Sequence, residues 1–184
     1  MNERTGVNEL EVHLPDTGAT RAFGEALAAL LRAGDLVVLS GDLGAGKTTL
    51  TQGIGAGLGI RGQVASPTFI IARVHPSVTG GPALVHVDAY RLGSLDELEA
   101  LDLDASLEES VTVVEWGEGL VEDLAEDRLE IAIERPHGAG RAGDGAGPGD
   151  GSDDEADDGS SGTRTVTVRG VGPRWAGIVL PVVG

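Results

Sequence analysis

The run Gly41-Asp42-Leu43-Gly44-Ala45-Gly46-Lys47-Thr48 carries the residues most able to do chemistry, because its spacing matches G-x-x-x-x-G-K-[ST]. Glycines at 41, 44 and 46 let successive backbone N–H groups turn inward. The helix that follows points the positive end of its dipole at the same place. An anion belongs there. Lys47 is expected to reach the outer phosphates of a nucleotide, and the Thr48 hydroxyl to share a magnesium ion with them. Thr49 is a further candidate for a phosphate or backbone contact. Two carboxylates could complete such a site, Asp88 at the end of LVHVD and Glu115 at the end of VTVVE. An acid after four strand residues holds magnesium, directly or through water, or polarises an attacking water. Spacing alone does not assign these roles. Glu115 is the expected metal partner, and Asp88 the group that supports the metal or orients the water. Ser66-Pro67-Thr68 is the third feature, with Thr68 a candidate to contact the γ-phosphate or metal from a nucleotide-sensing segment. An ordinary turn with a capping hydroxyl is the competing interpretation.

These residues need elements to hold them. Leu36, Val37, Val38 and Leu39 read as a buried parallel strand feeding the glycine loop, and Leu50, Ile54 and Leu58 as the apolar positions of the next helix. That helix carries Gly53, Gly55, Gly57 and Gly59, each costing about 1 kcal/mol in propensity relative to alanine, so packing must sustain it. Leu84–Arg91 predicts a second buried strand ending at Asp88, and Val111–Val114 a third ending at Glu115. Upstream, Glu9–Leu14 alternates like an edge strand. Asp16 or Thr17 then caps a helix whose stripe runs Ala22, Phe23, Ala26, Leu27, Leu30, Leu31 and is stopped by Gly34. Phe69-Ile70-Ile71 is strand-like, and Ser94-Leu95-Asp96-Glu97 opens a helix continued by Leu98 and Leu101. Leu129, Ile131 and Ile133 alternate with polar neighbours, as do Val166 and Val168, which predicts an antiparallel pair. Between them, residues 136–163 hold Gly, Ala, Ser, Pro and seven acids but no apolar side chain larger than alanine, so disorder is expected there. Arg174–Val183 fits no element on pattern alone.

At 184 residues the chain is expected to form a single α/β domain over 1–184, interrupted by the acidic insertion at 136–163. Cysteine is absent, which excludes disulfides and thiolate metal sites and fits a reducing cytoplasm. The four histidines are scattered without zinc-like spacing. The amino terminus is polar, and no apolar run approaches the ~18 residues of a membrane span, so a cytoplasmic protein is expected. With 13 basic residues against 30 acidic ones, the net charge is −17. Such a surface repels a phosphate backbone, so no strong direct nucleic-acid binding is expected and any link to RNA should run through a partner.

Taken together, GDLGAGKTT, SPTF at 66–69, HVDAYR at 86–91 and VVEWGE at 113–118 resemble the TsaE (also called YjeE) family over about residues 9–135. The resemblance implies a P-loop NTPase-like, three-layer α/β fold with a largely parallel central sheet and antiparallel edge strands. It implies an ATPase that uses ATP and Mg2+ and serves the threonylcarbamoylation of the adenosine beside the anticodon in tRNA, together with TsaB and TsaD proteins. By the same resemblance Lys47 and Thr48 bind phosphates and magnesium, Ser66–Phe69 match the switch segment, Asp88 a needed acid and Glu115 the magnesium-associated acid. Trp116 is placed beside the site, although a core or rim aromatic is the alternative for it. Three other functions are weighed against this one. A small-molecule kinase of this fold needs an arginine-bearing lid, whereas Arg61, Arg73, Arg91 and Arg128 form no clustered pair in sequence. A GTPase needs an Asn-Lys-x-Asp motif, which is absent. A non-hydrolysing adaptor would not depend on Lys47.

Overall fold

The computed structural model describes residues 8–64, 72–89, 107–116, 125–136 and 162–182. Among them the central element is a seven-stranded sheet in the order β1-β7-β6-β2-β5-β4-β3. The strands are β1 (Asn8–Leu14), β2 (Leu36–Ser40), β3 (Ala72–His75), β4 (Ala83–Asp88), β5 (Ser110–Glu115), β6 (Arg128–Glu134) and β7 (Arg164–Val171). Strand β2 runs parallel to both β5 and β6, and β4 runs parallel to β5. Antiparallel pairs close both sides, β1 with β7, β6 with β7, and β3 with β4. The expected parallel centre with antiparallel edges is therefore present, and 129–133 does pair with 166–168.

Among the described residues two α-helices accompany the sheet, α1 (Thr17–Ala28) and α2 (Lys47–Leu58). Leu50, Ile54 and Leu58 of α2 and Phe23 and Leu27 of α1 pack on the face presented by Val37, Leu39, Val113 and Ile131. The opposite face, with Leu36, Val38, Val85, Val87 and Val114, forms a second apolar cluster. Buried on both faces, the central strands have the continuous apolar runs that parallel strands require. None of the helices described is long and apolar enough to cross a membrane.

The glycines of α2 find their reason in helix packing. A Cβ on Gly53 would lie 2.2 Å from the Arg21 carbonyl oxygen, and one on Gly57 would lie 2.5 Å from the Ala28 Cβ. On the facing helix, a Cβ on Gly24 would stand 2.5 Å from the Leu50 carbonyl oxygen. The two backbones approach too closely for side chains, and the propensity cost is what this approach requires.

Helix α1 ends earlier than its apolar stripe predicts. Asp16 caps its start by accepting from the Ala19 N–H at 2.7 Å. At the other end the cap is Ala29, and Leu30 and Leu31 already lie beyond the helix. The reason lies in the carboxy-terminal segment, where Arg174 donates to the Leu30 carbonyl at 2.7 Å and pairs with Asp35 at 3.0 Å. Arg174 begins the segment that pattern alone did not place. It is part of a 3-10 turn, Pro173–Trp175, with Trp175 fully buried and Leu180 packed into the same core. The strand expected at 69–71, the helix expected at 95–101 and most of 136–163 lie outside the described residues.

Candidate functional site

The loop after β2 passes through positive φ at Gly41 (147°), Gly44 (77°) and Gly46 (114°) before entering α2 at Lys47. It is wedged between strands. A Cβ on Gly41 would stand 2.4 Å from the Ile133 carbonyl oxygen of β6, and one on Gly46 would stand 3.1 Å from Arg164 Nε. Ala45 is buried in the core and anchors the loop, whereas Leu43 at its tip is 93% exposed. Thr48 and Thr49 are half-buried in the first turn of α2.

Lys47 is itself buried, and its Nζ donates to the carbonyls of Gly41 at 2.7 Å and Asp42 at 2.9 Å. The same Nζ lies 4.1 Å from the centroid of the Trp116 ring, a cation–π distance. Burial lowers the proton affinity of Lys47 from its ordinary value, while Glu115, Asp42 and Asp88 act to raise it. Burial outweighs the three carboxylates, which offset it only in part.

Glu115 and Asp88 are direct partners across β5 and β4, and Glu115 also pairs in register with Leu39 of β2. This parallel register brings both acids to the carboxyl ends of adjacent strands, beside the loop. Trp116 follows, donating its N–H to the Leu39 carbonyl at 3.0 Å, with φ at 60°. That left-handed turn by a bulky aromatic is strained, and the strain aims its ring at Lys47. Gly41, Asp42, Trp116, Ile133, Glu134 and Arg135 are among the residues lining an open cavity of about 680 Å³ beside the loop.

One residue of the site was not expected. His86, on the same strand face as Asp88, is fully buried, and its Nε2 stands 2.9 Å from Glu115 Oε1. Its Nδ1 has no hydrogen-bond partner. The tautomer with its proton on Nε2 therefore donates to the carboxylate and leaves an acceptor, not an N–H, unpaired. In sequence His86 is one of four scattered histidines, and only the register of β4 against β5 brings it to Glu115. Glu115 is 3% exposed, and Oε2 is the oxygen that His86 does not engage.

Of the residues expected to act, the fold thus assembles Gly41–Thr49, Asp88, Glu115 and Trp116 at one end of the sheet, while Thr68 lies outside the described residues. Among the described residues no group of three His, Asp or Glu side chains could hold a metal by itself. Magnesium does not require one. It takes one or two protein oxygens and completes its shell with phosphate and water, and Thr48 and Glu115 are the oxygen-bearing candidates for it beside the loop.

A glycine-rich loop between a parallel strand and a helix, backed by strand-end acids, defines a P-loop α/β protein. The family model described as threonylcarbamoyl adenosine biosynthesis protein TsaE matches residues 14–142. The chain belongs to the TsaE family. It is 61% identical over 157 residues to the tRNA threonylcarbamoyladenosine biosynthesis protein TsaE of Streptomyces coelicolor, covering 85% of this chain and 93% of that one. The protein of the same name from Bacillus subtilis is 44% identical over 117 residues, covering 63% of this chain and 72% of that one. The crystal structure of Bacillus subtilis YdiB superposes with a TM-score of 0.64 at 31% identity, covering 93% of this chain and 91% of that one.

Proposed function

We propose that this chain binds and hydrolyses ATP with Mg2+ in the cytoplasm, in the formation of the threonylcarbamoyl group on the adenosine beside the anticodon in tRNA, acting with TsaB and TsaD proteins. The observation that carries the proposal is the meeting of Lys47 with Glu115, Asp88 and Trp116 at the mouth of a positive-φ glycine loop. Membership of the family supplies the pathway.

In this reading the backbone N–H groups of residues 41–48 take the phosphates. Lys47 exchanges its two carbonyl partners for phosphate oxygens, a move that costs two hydrogen bonds and gains charge-assisted ones. Thr48 and Glu115 would hold magnesium, which supplies neutralisation of charge on the outer phosphates when bound. His86 keeps Glu115 from rotating, so that its carboxylate does not have to be ordered at each turnover. Asp88, beside Glu115, orients the attacking water, and Thr68 senses the γ-phosphate. The net charge of −17 supports a division of labour in which a partner, not this chain, binds the tRNA.

The test is ATP turnover with and without TsaB and TsaD. Stimulation by the pair is expected, as is loss of turnover by about a hundredfold or more in Lys47→Ala, since the lysine faces the transferred phosphoryl group. Unchanged turnover in that variant would refute the reading. A phosphorylated metabolite detected by mass spectrometry would favour a small-molecule kinase instead.

A further inference from the structure

We infer that Arg164 is a positioning residue of the phosphate loop, fixing the direction of the Gly46 N–H by holding the Ala45 carbonyl from outside the loop. The inference rests on the nucleotide-site reading above.

Arg164 opens β7 and is separated from the loop by more than a hundred residues, yet it is only 2% exposed. Its Nε donates to the Ala45 carbonyl at 3.0 Å, and its Nη1 donates to the Gly162 carbonyl at 3.1 Å. The first of these contacts has a geometric consequence. The Ala45 C=O and the Gly46 N–H belong to one planar trans peptide and point in opposite directions. Pinning the carbonyl outward aims the N–H inward, where a phosphate oxygen would accept from it. Gly46, at φ 114°, could otherwise let this peptide rotate, since glycine has no Cβ to restrict it. The guanidinium itself blocks a side chain there, with Nε 3.1 Å from where a Gly46 Cβ would stand.

Electrostatics agree with this role. Burial and the nearby Arg135 lower the proton affinity of Arg164 from the ordinary arginine value, and Asp16 opposes them. A buried cation under this pressure gains when an anion enters the loop beside it. A purely structural anchor for β7 would need neither the contact with Ala45 nor the charge.

The experiment compares wild type, Arg164→Lys and Arg164→Met for binding of Mg-ADP by calorimetry, and for the Gly46 amide resonance by 1H–15N NMR without nucleotide. Both variants are expected to shift the Gly46 amide, and the dissociation constant of Arg164→Met should rise about tenfold, the worth of a hydrogen bond from a charged donor. If Arg164→Met does not fold, Arg164→Lys decides, because lysine keeps the charge but not the planar fork. Wild-type affinity in a folded variant, or weaker binding with an unmoved Gly46 amide, would overturn the inference while leaving the nucleotide site intact. Failure of the wild-type chain to bind Mg-ADP would remove the site reading, and this inference with it.

Discussion

The contact between His86 and Glu115 makes a quantitative demand on stability. Glu115 is 3% exposed, His86 is fully buried, and Nε2 to Oε1 is 2.9 Å. Replacing His86 with leucine leaves a buried carboxylate without its donor. Hydrogen bonds to charged groups contribute about 1.5–3 kcal/mol, and leaving a buried charged group without its donor costs at least as much. Lys47 and solvent at the mouth of the site compensate in part, so about 3 kcal/mol is expected for His86→Leu. At ~2–4 °C per kcal/mol for a chain of this size, that is a fall in melting temperature of about 6–12 °C. Glu115→Leu should cost less, because it leaves an imidazole rather than a carboxylate without its partner and removes a carboxylate facing Asp88 across β4 and β5. The double variant should therefore be more stable than the sum of the single losses predicts, by about 1.5 kcal/mol or more. Urea unfolding followed by circular dichroism, without nucleotide, measures all corners of the cycle. A coupling below about 0.5 kcal/mol would show that His86 and Glu115 act independently and would refute the claim that one positions the other.

Two further outcomes follow from the packing and charge described above. Gly53→Ala gains about 1 kcal/mol of helix propensity but drives a Cβ to 2.2 Å from the Arg21 carbonyl oxygen, so a net loss of about 1–3 kcal/mol is expected in thermal unfolding. A stabilised variant would mean that α1 and α2 can separate without cost. His75 is buried with Nε2 unpartnered, and burial first, then His86 and Arg73, lowers its proton affinity from the ordinary histidine value of about 6.5. As pH falls below 6.5 the unfolded chain takes up this proton before the folded one, so stability falls with a slope of at most about 1.4 kcal/mol per pH unit. His75→Leu should flatten that part of the urea-unfolding profile between pH 6.5 and 5, and an unchanged profile would remove His75 from the account.

What could be read from sequence and what could not divides along contact range. The loop, β2, α2 and the acids of β4 and β5 were legible because each is announced by its immediate neighbours: glycines before a lysine, an apolar run before a carboxylate. The start of α1 at Asp16 was legible but its end was not, since its last turn is set by Arg174 bonding to the Leu30 carbonyl from the far end of the chain. The same reason hides His86, which is one histidine among scattered ones until the register of β4 against β5 brings it to Glu115. It also hides the fit of the α2 glycines, whose cost is visible in sequence but whose benefit exists only against α1.

This division bears on how the site works. The groups that local pattern reveals are those that would touch phosphate or metal, and each is mobile or misdirected by itself. Lys47 is bonded to its own loop, Glu115 has two equivalent oxygens, and Gly46 is free to turn. Every one of these freedoms is limited by a partner distant in sequence: the Trp116 ring over Lys47, His86 at one oxygen of Glu115, Arg164 on the Ala45 carbonyl. His86 and Arg164 come from β4 and β7, each one strand beyond a neighbour of β2, and Trp116 directly follows β5, so sheet register, more than the loop motif, determines whether the proposed phosphate site is ordered before a ligand arrives. A phosphate-loop motif grafted onto another strand and helix would keep the donors and lose their aim.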